Sequence, residues 1–579
     1  MQVFRRLAIA AVLGGLGFSL CAHAADGHGL YVTEVTAESE ARLHELVDRG
    51  YEVDAVWGAK GRVYLEEREI AALEAAGYTV TILERQGGGA GAKDLGAYHS
   101  YAELTAQLQD YAQDYPDLCV LTSLGTSVQG RQLWALRVSD NPGIDEVEPE
   151  FKYISTMHGD EPLGTELLLY LIEALLTGHG VDTRLTAIMD NTDITFVPLM
   201  NPDGLELGTR RNANNIDLNR NFPIFGVHYT GNIYSGEGLH QTGRQVEVQR
   251  VMTWNAANSF VLSANFHTGA LVVNYPYDDG GVASGVNAPT PDDPLMQALA
   301  LGYAEQNAPM YASLEFPNGI VNGSEWFRVM DGMQDWNYRY LGCIDFTIEL
   351  SNIKKPAENS LAAFWADNEE ALLVYLEAVQ HGLRGAVRDA QTDEPLYAKV
   401  TVQGNTQPVF SDPDQGDYYR LLLPGTYTVT IEAPGYASKN FPGVSIAEGS
   451  ATVLDTELLP LGDADNDGRD NDVEGTDDVD GDALPNYLDA DSDGDGLPDS
   501  FEDDSDADGD LLPQWLDADS DDDGHADHQE YLAGTDPNDA LDFLDVPLGA
   551  REQPGLLLLC LLPVFYIQAV RTRKSQDPQ

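Results

Sequence analysis

The sequence is poor in positive charge and in cysteine. Lys and Arg number 32 against 95 Asp and Glu, which gives a net charge of −63 and argues against binding to nucleic acid or, through charge, to anionic lipid. Four cysteines in 579 residues are too few for a disulfide framework, although a Cys119–Cys343 bridge stays open. A chain of this length exceeds one hydrophobic core and predicts several domains.

Apolar segments at the two ends point to export. Arg5 and Arg6 precede an apolar run, and an A-x-A site ends at Ala24, so residues 1–24 are predicted to be a signal peptide. Residues 554–574 join an apolar segment, short for a membrane span, to a basic end, which is the layout of bacterial C-terminal sorting tails. We expect a secreted or cell-surface protein that this tail tethers transiently to the membrane and that is then released or retained at the surface.

Three regions of regular structure are predicted between these ends. Residues 27–86 alternate strand-like and helix-like runs and form a small α+β unit. A glycine-rich linker follows at 87–93 and is predicted to be a flexible, protease-accessible joint. The unit before it is interpreted either as a removable or inhibitory prosegment or as a plain accessory domain. Residues 94–380 predict an α/β fold around a mainly parallel sheet, with sites at strand ends. Residues 383–460 predict a small β-sandwich.

Residues 463–539 are of a different character, because they repeat the pattern D-x-D-x-D-G with further acidic residues. Oxygen ligands at alternate positions, followed by a glycine that permits a tight turn, are what a calcium loop requires. The alternative is a disordered acidic linker. The candidate calcium ligands are Asp463, Asp465, Asp467, Asp491, Asp493, Asp495, Asp519, Asp521 and Asp523.

Candidate zinc ligands are widely separated along the chain. His158 and Glu161 stand in HGDE, His267 in NFHTG, and Glu349 in TIEL. Two imidazoles and one carboxylate are a recurrent catalytic zinc set that leaves a position open for water, and Glu349 would be the proton-transfer partner. An isolated H-x-x-E is weak support, since it also fits a helix cap beside a surface histidine.

An arginine- and asparagine-rich stretch, NPDGLELGTRRNANNIDLNRNFP, lies between the two ligand blocks. A guanidinium beside an amide suits two-point binding of a free carboxylate, whereas the plain alternative is a solvated loop. Together HGDE, DLNRNFP, NFHTGALVVNYPYD, DGMQDWNY and TIELSN resemble, in order and separation, the motifs of the zinc metallocarboxypeptidases and most of all their carboxypeptidase N/E branch.

The resemblance covers roughly residues 94–460 and implies a mixed eight-stranded sheet followed by a transthyretin-like module. The acidic repeats, in turn, resemble thrombospondin type 3 calcium repeats. Carried over position by position, the resemblance implies one role for each matching residue: zinc ligands His158, Glu161 and His267; a carboxylate orienting the first histidine, Asp217; an oxyanion-stabilising arginine, Arg210; binders of the substrate carboxylate, Asn219 and Arg220; and the general base, Glu349.

The resemblance also implies a specificity pocket. Asp278 and Gln334 match residues that line the pocket for the departing side chain, where a buried carboxylate favours arginine or lysine. Phe327 stands where the family usually has a tyrosine. It can cover the substrate but cannot hydrogen-bond it, and one neutral hydrogen bond is worth on the order of 1 kcal/mol.

The expected function is that of a zinc-dependent exopeptidase. It would act on peptides or proteins with a free C-terminus and preferably release lysine or arginine, with one zinc ion in the catalytic domain and calcium in the repeats. One alternative is a non-catalytic, calcium-stiffened surface adhesion or peptide-binding protein. The other is the same fold acting on peptidoglycan peptides.

Overall fold

The computed structural model describes residues 30–86, 98–235, 238–465, 467–481 and 484–541. The predicted signal peptide, the glycine-rich linker and the segment 554–574 lie outside these residues. Among the described residues, none of the helices combines the length and apolar character needed to cross a membrane. The chain divides into two compact units, Met1–Leu461 and Gly462–Gln579.

The N-terminal unit is an antiparallel sheet with two helices, so the predicted α+β unit is confirmed. The sheet has the order β2-β3-β1-β4, which makes β2 an edge strand. Helices α1 and α2 place leucines against the sheet. The elements are β1 (Leu30–Thr36), α1 (Glu40–Asp48), β2 (Glu52–Trp57), β3 (Lys60–Glu66), α2 (Glu67–Ala75) and β4 (Thr79–Gln86).

The next region is built on one eight-stranded sheet of order β11-β10-β12-β9-β7-β8-β6-β5. Four neighbouring pairs are parallel and three are antiparallel, which confirms the predicted mixed, mainly parallel sheet. The strands are β5 (Cys119–Thr126), β6 (Gln132–Val138), β7 (Glu150–Ser155), β8 (Asp193–Val197), β9 (Leu262–His267), β10 (Leu271–Tyr275), β11 (Ile320–Asn322) and β12 (Ile344–Leu350).

Helices flank this sheet, so the strands at its centre are buried along their whole length, as strands covered on both faces must be. Cys119 and Cys343 are both buried and free, so the structure does not contain the bridge between them. The helices are α3 (Tyr101–Asp114), α4 (Leu163–Gly178), α5 (Thr183–Met189), α6 (Pro202–Leu207), α7 (Val246–Ala256), α8 (Asp293–Gln306), α9 (Ala308–Tyr311), α10 (Gly323–Trp326), α11 (Met333–Trp336) and α12 (Leu361–Glu377).

A β-sandwich of two four-stranded sheets follows, as predicted. It is fixed to the preceding region by a buried ion pair in which Arg420 lies 2.7 Å from Asp292. Its strands are β13 (Gly382–Asp389), β14 (Lys399–Val402), β15 (Val409–Phe410), β16 (Asp417–Arg420), β17 (Gly425–Glu432), β18 (Lys439–Ile446), β19 (Ala451–Val453) and β20 (Thr456–Leu458).

The second unit consists of acidic loops with short helical turns, among them α13 (Asn471–Glu474) and α14 (Asp527–Ala533). The three D-x-D-x-D-G loops that contain the candidate calcium ligands begin 28 residues apart, at Asp463, Asp491 and Asp519. Neighbouring loops are joined by direct hydrogen bonds.

In the first of these links, the Arg469 guanidinium donates to the Glu502 carbonyl over 2.9 Å. In the second, the His528 N–H donates to the Asp495 carboxylate over 2.7 Å. Each loop is therefore supported by the loop next to it.

Candidate active site

Three neighbouring parallel strands bring the predicted ligands together. His158 and Glu161 lie in the turn after β7, and His267 is the last residue of β9. The parallel register of β12 against β9 pairs Glu349 with His267. Gly159 is required in the turn, because a Cβ there would lie 2.0 Å from the backbone of Gly204 in α6.

The ligand atoms of these side chains converge. His158 Nδ1 lies 3.2 Å from each Glu161 oxygen. His267 Nδ1 lies 2.9 Å from His158 Nδ1 and 3.0 Å from a Glu161 oxygen. Atoms bound about 2.1 Å from a tetrahedral zinc are roughly 3.4 Å apart, so this donor set fits a zinc ion.

A carboxylate orients the first histidine. His158 Nε2 donates to Asp217 Oδ1 over 3.0 Å, which leaves Nδ1 as the nitrogen that can bind a metal. Burial and Arg210 lower the pKa of His158, but Glu161 and Asp217 outweigh them and raise it to about 9. A proton and a metal ion therefore compete for this nitrogen.

The other groups of the centre are also buried. Burial, followed by His158, lowers the pKa of His267 to about 4, so this imidazole is neutral, as a ligand must be. Burial, followed by the negative charges of Glu161 and Asp54, raises the pKa of Glu349 to about 8. One oxygen of Glu349 is buried without a hydrogen-bond partner among the described residues, which leaves it available to water or substrate.

Arg210, the predicted oxyanion-stabilising arginine, and Asn219, one of the two predicted binders of the substrate carboxylate, both hydrogen-bond to Asp217 beside the donor set. Arg210 Nε donates to Asp217 over 2.9 Å, and its Nη1 lies 3.4 Å from Glu161. The side-chain oxygen of Asn219 accepts the Met333 N–H over 3.0 Å. The amide nitrogen of Asn219 is therefore the group that can donate to a substrate.

The predicted specificity pocket is assembled from β10, α10 and α11. The Asp278 carboxylate accepts from Gln334 Nε2 over 2.7 Å and from Asn274 Nδ2 over 3.1 Å. Burial and then Asp335 raise its pKa well above the usual range. Glycine is required at position 323, opposite Asp278, since a Cβ there would lie 1.9 Å from the Asp278 carboxylate. Among the described residues, no lysine or arginine forms a direct ion pair with Asp278.

Phe327 lies between the catalytic region and the N-terminal unit, and its predicted role of covering the substrate stays a prediction. It is buried in a hydrophobic cluster shared with the N-terminal unit. It also packs edge-on against Trp326, with ring centroids 4.6 Å apart.

Sequence reasoning missed three charged residues at this site. Lys354 lies 2.9 Å from the Glu161 carboxylate and 3.0 Å from Asp54 of the N-terminal unit. Burial opposes ionisation of Asp54, but Lys354 and Arg210 outweigh it and lower its pKa to about 2. Glu52 contacts Arg211. No local sequence pattern predicts these contacts. The one available signal was the alternation of acidic residues along β2, in EVDAVW.

The acidic loops likewise contain residues that were missed. The ligand atoms of Asp463, Asp465 and Asp467 lie within 4.8 Å of one another, and Glu474 joins Asp467 and Asp499 in a second such group. A glutamate ends each of the three loops at the same spacing, in the pattern D-x-D-x-D-G-x5-E, which could have been recognised in the sequence. These glutamates are Glu474, Glu502 and Glu530.

Two imidazoles, a carboxylate and an adjacent glutamate at the ends of buried parallel strands define a metal-dependent hydrolase. The sequence model of the zinc carboxypeptidase family matches residues 104–371. That of the carboxypeptidase regulatory-like domain matches residues 382–459.

Named relatives agree with these matches. The chain is 39% identical to the carboxypeptidase N catalytic chain of Mus musculus, over 62% of this chain and 86% of that one. It is 40% identical to carboxypeptidase M of Mus musculus, over 59% of this chain and 79% of that one. Carboxypeptidase D of Mus musculus is 40% identical over 64% of this chain. The matched part covers 28% of the length of that carboxypeptidase D. The chain belongs to the zinc carboxypeptidase family.

Replacement of the orienting carboxylate should weaken metal binding. We predict that Asp217→Ala lowers zinc affinity by about 10- to 100-fold, because the tautomer and orientation of His158 are then no longer fixed. Competition with a chromogenic chelator measures this affinity. Asp110→Ala, at an exposed position of α3, is the matched control and should bind zinc like the unmodified chain. Equal affinity in both variants would contradict the role of Asp217.

Proposed function

We propose that this protein is a zinc-dependent exopeptidase that removes the C-terminal residue of peptides or proteins. The observation that carries the proposal is the convergence of the His158, Glu161 and His267 ligand atoms within 3.2 Å of one another, beside Glu349. A bound zinc ion would polarise the scissile carbonyl and make water a better nucleophile.

The residues of the chain supply the remaining steps. Glu349 takes a proton from water and passes it to the leaving amine. Its partnerless buried oxygen and its position next to His267 support this role. Arg210 supplies fixed positive charge where negative charge grows on the substrate carbonyl oxygen.

Cleavage at the chain end follows from the carboxylate-binding pair. The Asn219 oxygen is already bonded to the Met333 N–H, so the amide of Asn219 presents its nitrogen to the substrate. Arg220 adds a guanidinium beside it. A free carboxylate satisfies both donors, whereas an internal peptide group cannot supply the negative charge. Binding therefore selects the last residue of a chain.

The preference for basic residues rests on Asp278. Its carboxylate is buried and receives two neutral amide donors, which fix its direction without neutralising it. An arginine or lysine side chain of the substrate would supply the missing cation and so favour the ionised carboxylate, whereas an apolar side chain would leave the carboxyl group buried without a cation.

Two other functions are less well supported. A non-catalytic adhesion or peptide-binding protein has no need of the Glu349 carboxylate beside the donor set. Action on peptidoglycan peptides would use the same centre, but the named relatives are carboxypeptidases N, M and D. Release of C-terminal arginine or lysine therefore remains the proposal.

The reaction is tested with peptides that differ in their last residue alone. We expect zinc-dependent release of a single C-terminal residue, fastest for arginine or lysine, and loss of release when zinc is chelated. Glu349→Gln should keep stoichiometric zinc and lose about 10²- to 10⁴-fold in turnover, because the proton acceptor is gone. Metal analysis and mass spectrometry of the products provide both readouts. Internal cleavage, or release that resists chelation, would refute the mechanism.

The pocket carboxylate is tested separately. We predict that Asp278→Asn lowers kcat/KM for a C-terminal arginine peptide by about a hundredfold and changes it little for a leucine peptide, because the side-chain cation loses its counter-ion. Asp279→Asn, one residue along, is the matched control and should retain the arginine preference. If Asp278→Asn still prefers a C-terminal arginine, the preference is set by residues other than Asp278.

We also propose that the three acidic loops bind calcium. In each loop the aspartates at positions 1, 3 and 5 and the glutamate at position 12 have the spacing of a twelve-residue calcium loop with a final bidentate glutamate. Both carboxylate oxygens of each final glutamate are buried without a hydrogen-bond partner among the described residues. Burial and the neighbouring Asp465 and Asp467 raise the pKa of Glu474 to about 8, and a bound cation would relieve this repulsion.

Loss of one final glutamate should weaken one site. We predict that Glu474→Gln lowers calcium affinity in the first loop by at least about tenfold, since a charged bidentate ligand is removed. Asp472→Asn, in the same loop but exposed, is the control. Calorimetric titration with calcium counts the sites, and identical titrations for both variants would exclude Glu474 as a ligand.

For location, we propose export by the signal peptide 1–24. We further propose transient membrane tethering by residues 554–574, with the calcium-bound loops as a spacer.

A further inference from the structure

We propose that the N-terminal unit is an in-chain inhibitor, with edge strand β2 lying in the substrate cleft in the place of a peptide. This inference rests on the proposed exopeptidase function. The first support is the direction in which β2 faces, because carbonyl groups of this edge strand accept hydrogen bonds from the catalytic region. The Val53 carbonyl accepts from Arg220 Nη2 over 3.2 Å, and the Val56 carbonyl accepts from Trp326 Nε1 over 3.0 Å.

The second support is a side chain at the centre of the site. The register of β2 against β3 shifts between Val53 and Ala55, a bulge of the kind that re-aims a side chain. The residue in the bulge is Asp54. Its carboxylate lies 2.5 Å from Arg210 Nη1 and 3.0 Å from Lys354 Nζ.

The third support is competition for the same groups. The proposed mechanism needs Arg210 at the substrate carbonyl and Arg220 at the substrate carboxylate. In this structure Arg210 is engaged by Asp54, and Arg220 by the carbonyl of Val53. A peptide therefore has to displace β2 before these residues can serve it.

The unit is held in the cleft by more than these polar contacts. A single hydrophobic cluster joins Val53, Ala55 and Val56 of β2 to Trp326 and other residues of the catalytic region. Two further polar contacts lie outside the cleft centre, between His44 and Ser284 (3.0 Å) and between Asp48 and Arg328 (3.3 Å).

Phe327 belongs to this same cluster, which gives a physical reason for the absence of a tyrosine there. A phenol oxygen buried in this contact would need a partner.

The inhibition is tested on the full chain. A site for a sequence-specific protease is placed in residues 87–93, and kcat/KM for a C-terminal arginine peptide is measured before and after cleavage. We expect cleavage to raise activity and dilution of the cleaved chain to raise it further, because the N-terminal unit then dissociates. In the uncut chain, Asp54→Asn should raise activity at least about tenfold, which corresponds to about 1.4 kcal/mol.

Controls separate the role of Asp54 from a general effect on folding. Glu74→Gln, at an exposed carboxylate on α2, should leave the uncut activity unchanged. Glu52→Gln, which weakens a second contact of β2, should raise it. After cleavage, Asp54→Asn and the unmodified chain should have equal kcat/KM, because Asp54 has no part in the open enzyme.

A binding measurement does not depend on turnover. The probe is (2-guanidinoethylmercapto)succinic acid, which carries carboxylates and a guanidinium, and its affinity is measured calorimetrically for the uncut, the cleaved and the Asp54→Asn chains. Weaker binding to the uncut chain supports occlusion, whereas equal affinity and equal activity in all three overturn it. Tighter binding after cleavage without hydrolysis would support occlusion and reject the proposed exopeptidase function.

Discussion

The parallel alignment of β7, β9 and β12 is the constraint on which the site depends. Parallel strands end at one edge of a sheet, so the turn after β7 and the last residue of β9 meet there although they are more than a hundred residues apart along the chain. The in-register pairing of His267 with Glu349 then places a candidate ligand next to the proposed base. A slip of one residue in this pairing would turn Glu349 to the opposite face of the sheet.

So many charged groups can be buried at this edge of the sheet only because positive and negative side chains lie next to one another. Arg210 and Lys354 are surrounded by the carboxylates of Asp54, Glu161 and Asp217. A buried cation without a partner is costly, and an open cleft would satisfy these cations with water or substrate. The closed arrangement uses Asp54 for that purpose, so the N-terminal unit is electrostatically part of the site that it covers.

Much of the fold could be predicted because its signals are local. Alternating strand-like and helix-like runs predicted an α/β fold around a mainly parallel sheet, and short strands with turns predicted the β-sandwich. The mixed eight-stranded sheet was implied by the family resemblance, and its five motifs led to the candidate ligands. The role of Lys354 could not be predicted, since KKP has no periodicity and its partner Asp54 lies 300 residues earlier. The burial of Phe327 likewise depends on contact with the N-terminal unit, whose residues are far away along the chain. By contrast, Glu474 stands at a fixed distance from Asp463 and was within reach of the sequence alone.

The loops of the second unit contact their neighbours through Arg469 and His528 and begin at intervals of 28 residues. In such a linear array, stability is close to a sum of independent modules and nearest-neighbour terms. Modules can therefore be gained or lost during evolution without redesign of the others. The number of candidate calcium loops would then change one module at a time, while the catalytic region stays as it is.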